Sequence, residues 1–310
     1  MTTLLKPHIV PNDAQVAVVS PASSPQPERV ERGFAALVAL GYAPQASANL
    51  LARGPLYFAG TPEMRLSDLH HAFADDETRA IFATRGGYGS NSLLDGLDLD
   101  MIAESAKPLI GYSDLTALQL WLLDQIHLPA FHGPMLSADF AREDGVHLPS
   151  LQAALGGKPY KLGAPEGLRP LHPGRARGTL YGGCLSILVS LLGTPYEPQT
   201  EGKLLFLEDV NVKPYQIDRM LWQLSEAGKL EGVRGIVFGE MLDCASPGAP
   251  PELLNQAILR ALEDFTGPIA IGLRSGHVSR QNVTLTFGVD AELLVQKEAQ
   301  LHLIEPAVIV

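Results

Sequence analysis

Residues 108–123, PLIGYSDLTALQLWLL, constrain the fold more than any other stretch: a short apolar run stops at Gly111-Tyr112-Ser113-Asp114 and resumes with helical spacing. A strand that turns sharply into a helix belongs to an α/β sheet, and Ser113 would stand at the C-terminal edge of that sheet. There the first free N–H groups of the following helix can face whatever the serine attacks. Two readings of Ser113 fit the segment. It is a nucleophile, or it is an N-cap, because serine before a helix is what capping favours.

The same alternation runs through the first half of the chain. Residues 15–20 read as a buried strand, 27–40 as an amphipathic helix, 64–73 as a helix, 80–84 as a strand ending in a glycine-rich turn, 109–112 as a strand and 115–123 as a helix. Strands separated by helices predict a parallel sheet covered on both faces. Residues 157–178 are dense in Gly and Pro and poor in apolar periodicity, which predicts a linker between a first domain over 1–156 and a second over 179–310. In the second half, helices are expected at 185–192, 217–227 and 252–265, and strands at 203–207, 235–238, 269–272, 283–286 and 301–304. The closing strands have no helices between them. A smaller mixed α/β domain with hairpins or barrel-like closure follows.

Charge narrows the partners. Lys and Arg total 23 against 34 Asp and Glu, a net charge of −11 that repels nucleic acid and anionic lipid. Cys184 and Cys244 are the only cysteines, which suits a reducing compartment, so a cytoplasmic location is expected. The N-terminal residues lack a basic start followed by a long apolar core, and no later segment forms a membrane-length apolar run; a soluble protein without an export signal is the expectation. No HExxH or CxxC pattern occurs, so no metal and no cofactor are implied.

A serine nucleophile needs a base, and the base needs an acceptor that holds its tautomer. Of nine histidines, His132 in FHGPM and His277 in SGHV lie at strand ends beside glycine, where either a functional or a structural hydrogen-bonding role is open. Glu208 and Asp209 directly follow the apolar run KLLFL; consecutive strand residues point to opposite sides, so one of the two can aim at a shared site. The turn Arg85-Gly86-Gly87-Tyr88-Gly89-Ser90 permits close backbone approach and can present N–H groups to an oxyanion, although a plain tight turn reads the same way.

Taken together, RGGYGS at 85–90, IGYSDLTAL at 110–118, FHGPM at 131–135, GTPYEP at 193–198, LLFLEDVNVKPYQIDRML at 204–221 and GHVSRQNVTLTFG at 276–288 resemble the LD-carboxypeptidase family of serine peptidases, in order and across nearly the whole chain. That family includes muramoyltetrapeptide carboxypeptidases and microcin C self-immunity peptidases. The resemblance implies a Rossmann-like N-terminal domain, a C-terminal domain of swivelling-barrel type and a homodimer. It also implies removal of a C-terminal D-alanine from cytoplasmic murein tetrapeptide, with a small peptide as substrate. Carried over, the nucleophile is Ser113, the triad carboxylate Glu208 and the general base His277. The oxyanion hole falls on the N–H groups of Asp114 and Gly87.

Cys184 and Thr286 depart from the family pattern, which expects asparagine and proline there; neither is a triad position. Gly86 and Tyr88 are expected near substrate. Arg85 and Arg280 are the basic side chains nearest in sequence to these motifs, available to a terminal carboxylate or to a neighbouring acidic residue. Two other functions fit less well: a peptidase for amide-linked aminoacyl nucleotide conjugates, and a noncatalytic small-molecule binder on a doubly wound scaffold.

Overall fold

Strands β1 (Gln15–Val19), β3 (Thr78–Ala83), β4 (Leu109–Gly111) and β5 (Ala130–His132) are short and buried along most of their length, while β2 (Ala43–Ala46) is a largely exposed edge. Continuous burial is what a sheet covered on both faces demands. In this computed structural model, which describes residues 3–245, 248, 250 and 252–310, the five strands run parallel in the order β5-β4-β3-β1-β2. Helices α1 (Pro27–Ala39), α2 (Pro62–Ala74), α3 (Leu99–Glu104), α4 (Leu115–Ile126) and α5 (Leu148–Leu155) accompany them.

Strand order reverses at β1: β2 lies on one side of it and β3, β4 and β5 on the other. The loops leaving β1 and β3 therefore diverge, as at the crevice where ligands bind in open α/β sheets. Helix α4 is apolar nearly all round. Its one buried amide, Gln119, donates from Nε2 to the carbonyls of Leu109, Gly111 and Phe131 at 3.1, 3.1 and 2.9 Å, tying the helix to β4 and β5.

The chain forms two units. The first holds residues up to Lys158 together with Arg280–Gly288 and Pro306–Val310; the second holds Pro159–Ser279 and Val289–Glu305. In the second, β6 (Tyr160–Leu162), β7 (Arg169–His172), β8 (Gly174–Cys184), β9 (Lys203–Glu208), β10 (Gly235–Gly239) and β11 (Ile269–Leu273) belong to one eight-stranded sheet. Strands β8 to β11 are parallel, and α6 (Leu185–Ser190), α7 (Pro214–Glu226) and α8 (Leu253–Ala261) lie along the same stretch of chain.

Three expectations change. Residues 157–178 are no linker: they supply β6, β7 and the first half of β8. Their prolines and glycines sit at edges and irregular pairings, where a missing N–H is tolerated, as at Pro170 on the sheet-edge strand β7. The closing strands also divide. β12 (Leu285–Phe287) pairs antiparallel with β5 in the first sheet, so the first unit is not confined to residues 1–156. Only β13 (Asp290–Val295) and β14 (Ala299–Leu303) form the expected hairpin, against β8. Strand β13 escapes the sequence reading because two of its three open positions, Asp290 and Glu292, are charged and the third, Leu294, is apolar, which blurs the alternation.

Candidate active site

Between β4 and α4 the backbone turns through Ser113, whose φ of +64° lies in the left-handed region. A non-glycine residue there costs about 1–2 kcal/mol, a cost that sharp strand-to-helix turns bear at functional positions. The N-cap of α4 is Asp114, and no side chain caps this helix, so the capping reading of Ser113 does not hold.

The glycine turn lies against this elbow. A Cβ on Gly86 would stand 2.7 Å from Ser113 Cβ, 2.9 Å from its Oγ and 3.2 Å from Asp114 N, so only glycine lets the two segments touch. Gly87 has a φ of +109°, and a Cβ there would meet Ser23 Oγ at 2.3 Å rather than the elbow. Ser23, on the loop after β1, accepts the Tyr88 N–H at 3.1 Å and donates its own N–H to the Gly86 carbonyl at 3.4 Å. It was not singled out from sequence; its place beside the reversal in sheet order is the signal that finds it. The N–H groups of Gly87 and Asp114 hydrogen-bond no other group among the described residues.

Behind the elbow lies Asp139, wholly buried. Burial pushes its carboxyl up to about 6, against the opposing pull of the Met135 N–H, the Asn282 side chain and Arg142 and Tyr112. The native protein thus keeps this proton up to pH about 6, whereas the unfolded chain releases it near the ordinary aspartate value of 3.8. The associated stability is fully present below pH 3.8 and is lost as pH rises through about 6, a change of about 3 kcal/mol. Urea unfolding of wild type and Asp139→Asn at pH 4 and pH 7 should show their stability difference shifting by about that amount in favour of the variant at pH 7. Parallel pH profiles would reject the buried, protonating carboxyl.

The second unit holds the other pair. Glu208 ends β9, fully buried, and its Oε2 accepts both the His277 N–H at 2.9 Å and the His277 Nδ1 proton at 2.8 Å. A carboxylate only accepts, so Nδ1 carries the proton and the lone pair of the neutral ring resides on Nε2. The His277 side chain remains about a fifth exposed (21 %). Gly276 makes this approach possible: its φ is +90°, and a Cβ would fall 2.5 Å from Glu208 Cδ.

Asp209 points elsewhere, accepting the N–H of Ser186 at 2.9 Å and that of Val210 at 2.9 Å, so of the two consecutive acids Glu208 is the one paired with histidine. Burial raises the Asp209 carboxyl. Cys184, opposite Glu208 in the β8–β9 register, lies 3.3 Å from Ser186 Oγ; burial, then the Glu208 and Asp209 charges, push its thiol well up. Thr286 sits on β12 opposite Phe131.

The remaining candidates separate. Arg85 is half-buried and Arg280 exposed, and neither makes an ion pair or hydrogen bond among the described residues. Tyr88 is 45 % exposed, its ring 5.8 Å from Tyr57 and 5.9 Å from Phe58 in a surface aromatic cluster. His132 is fully buried on β5, between the rings of Tyr112 and Phe287 at 5.9 and 5.4 Å, and lines no sheet edge open to ligand. No group of three or more His, Cys, Asp or Glu side chains among the described residues is arranged to hold a metal ion, and no helix there is long and apolar enough to cross a membrane.

Comparison with known proteins bears on both units. Residues 16–133 match the model of the LD-carboxypeptidase N-terminal domain, and residues 177–293 that of the LD-carboxypeptidase C-terminal domain. The chain is 36 % identical over 292 residues to a probable murein peptide carboxypeptidase of Bacillus subtilis, covering 93 % of this chain and 91 % of the relative. It is 33 % identical over 300 residues to the murein tetrapeptide carboxypeptidase of Pseudomonas aeruginosa, covering 91 % and 94 %. The crystal structure of an MccF-like protein from Bacillus anthracis superposes with a TM-score of 0.88 at 27 % identity, over 98 % of this chain and 100 % of that one. With both domain models matched in order and relatives of this identity aligned along nearly its whole length, the chain belongs to the LD-carboxypeptidase family.

Proposed function

We propose that this enzyme is a serine carboxypeptidase that hydrolyses the L,D-peptide bond before the C-terminal D-alanine of cytoplasmic murein tetrapeptide. The observation that carries the reading is Ser113 held in the left-handed conformation against Gly86, with a separate Glu208–His277 pair ready to serve as base. Ser113 Oγ attacks the scissile carbonyl while His277 Nε2 takes its proton, and the N–H groups of Asp114 and Gly87 bind the oxyanion. His277 then gives that proton to the departing D-alanine amine. Water, deprotonated by the same imidazole, hydrolyses the acyl-enzyme and returns Ser113. Glu208 holds the ring tautomer and stabilises the imidazolium.

Murein carboxypeptidase relatives at 33–36 % identity support the substrate class. A second reading, an amide-linked aminoacyl nucleotide conjugate as substrate, follows from the resemblance to microcin C self-immunity peptidases, whose fold the MccF-like structure shares with this chain. Purified protein incubated separately with a murein tetrapeptide and with such a conjugate, with products resolved by mass, distinguishes them. Release of D-alanine with no cleavage of the conjugate is the expected result; the reverse pattern selects the second substrate. The reading includes a homodimer, for which sedimentation of the purified chain is the check.

A carboxypeptidase must also hold a free terminal carboxylate against a net charge of −11. Arg85, next to the glycine turn and without an acidic partner among the described residues, is assigned that task in preference to the exposed Arg280. Arg85→Met should raise KM for the free acid about tenfold or more, the worth of one charge-assisted hydrogen bond, and spare an amidated analogue. Equal effects on acid and amide would assign carboxylate recognition to backbone donors.

A further inference from the structure

Arg65 is a buried cation that the proposed chemistry does not use. It lies on α2, 2 % exposed. Its Nη1 donates to the carbonyls of Pro21 at 2.8 Å and Gly89 at 2.7 Å, its Nη2 donates to Ser92 Oγ at 3.1 Å, and its guanidinium carbon stands 5.2 Å from the Phe58 ring centroid. Ser92 Oγ in turn donates to the same Gly89 carbonyl at 2.7 Å. Its Nε has no partner among the described residues, so the side chain is not fully satisfied by the fold it braces.

The other end of the same peptide group is held by an anion. The N–H of Ser90, which shares a peptide plane with the Gly89 carbonyl, donates to the Asp114 carboxylate at 2.8 Å, and Ser90 Oγ donates to the Asp114 carbonyl at 2.5 Å. A guanidinium on the oxygen and a carboxylate on the hydrogen polarise one peptide in the same sense, and each bond strengthens the other in a low-dielectric interior. Burial raises the Asp114 carboxyl, and the Ser90 bonds and the Arg65 charge oppose that rise. The bridged peptide joins the segment that carries Gly87 to the residue whose N–H begins the elbow.

We propose that Arg65 is a positioning residue for the oxyanion donors: by gripping the Gly89–Ser90 peptide opposite Asp114, it sets the register of the 86–89 turn against the Ser113–Asp114 elbow. The inference rests on the functional reading given above. Burying a cation only to hold carbonyls is costly when an apolar side chain could fill the space. Donors a fraction of an ångström out of register lose most of their effect on an oxyanion, and ground-state binding need not change.

The test uses Arg65→Lys, which keeps the charge and loses the fork. With murein tetrapeptide, kcat should fall about a hundredfold with KM within about threefold of wild type. Phosphonylation of Ser113 by a fluorophosphonate probe, which needs the same donors but no particular substrate, should slow by a similar factor. If Arg65→Lys does not fold, Ser92→Ala carries the test: it removes one bond to the grip from an exposed position, and its kcat should drop about threefold or more at constant KM. A folded Arg65→Lys, or failing that a Ser92→Ala, with wild-type kcat and labelling rate overturns the inference, as does a loss confined to KM. If the wild-type protein is labelled at Ser113 but releases no D-alanine, the substrate reading has failed and the labelling rates still decide the role of Arg65. If wild type is not labelled at Ser113, both fall together.

Discussion

Ser113→Ala should release D-alanine from murein tetrapeptide on the order of 10⁴–10⁶-fold more slowly than wild type, with the fold unchanged. The side chain removed is a single hydroxyl on a half-exposed turn that caps no helix, so stability has little to lose. His277→Ala should fall as far, since without a base the hydroxyl keeps its proton. Glu208→Gln should lose less than or as much as these. One oxygen of Glu208 accepts both the backbone and the ring N–H of His277, and an amide can meet that pair only with its carbonyl turned to the same place. Because the three groups act as a unit, the Ser113→Ala/His277→Ala double variant should be hardly slower than either alone. The check is turnover by mass-resolved product, with thermal unfolding run alongside. Near-normal turnover in Ser113→Ala would end the serine mechanism. Ser113→Gly should unfold with about 1 kcal/mol more stability than Ser113→Ala, because glycine alone adopts a φ of +64° without steric cost.

Gly86→Ala should cost about 10²–10³ in kcat. The added methyl would lie 2.7 Å from Ser113 Cβ and 3.2 Å from the backbone nitrogen of Asp114, and neither is the far end of a flexible chain that can swing away. The elbow itself must shift, carrying nucleophile and donor together, so labelling of Ser113 and peptide turnover should fall in parallel. Gly87→Ala should act by another route. Its methyl meets Ser23 Oγ at 2.3 Å in a backbone conformation that alanine disfavours, so the turn rotates away from Ser23 and withdraws its N–H. The loss there should be about a hundredfold in kcat, with KM little changed. Ser23→Gly should restore part of it, since that removes the atom the methyl strikes. Wild-type kcat in Gly86→Ala would mean that the turn does not adjoin the nucleophile, and wild-type kcat in Gly87→Ala would move the second donor to another residue.

Several features were readable without coordinates because they depend on local chemistry. An apolar run broken by Gly-Tyr-Ser-Asp before a helical pattern must turn between strand and helix, and β4 and α4 form there. Adjacent glycines after β3 mark a backbone that something approaches closely, and Gly86 is approached by Ser113. Alternation of strands with helices was enough to predict parallel pairing in the first half. Residue-level reading left the choice between Glu208 and Asp209 open. A strand states that neighbours face opposite sides and is silent about which side holds the histidine.

By itself, then, the sequence determined the alternating strands and helices of the first half, the sharp turn at Ser113, the glycines that permit close approach and, through motif order, the family. Only the tertiary structure decided which sheet receives Leu285–Phe287, that residues 160–178 are strands, and that Arg65 and Asp114 grip one peptide from opposite ends. The physical reason is the range of the forces involved. Turn preference, capping and periodicity act over a few residues and leave a trace in the string. Strand pairing and the satisfaction of buried charge depend on partners 24 residues away for the Arg65–Gly89 bond and 69 for Glu208–His277, and nothing in the local sequence names those partners.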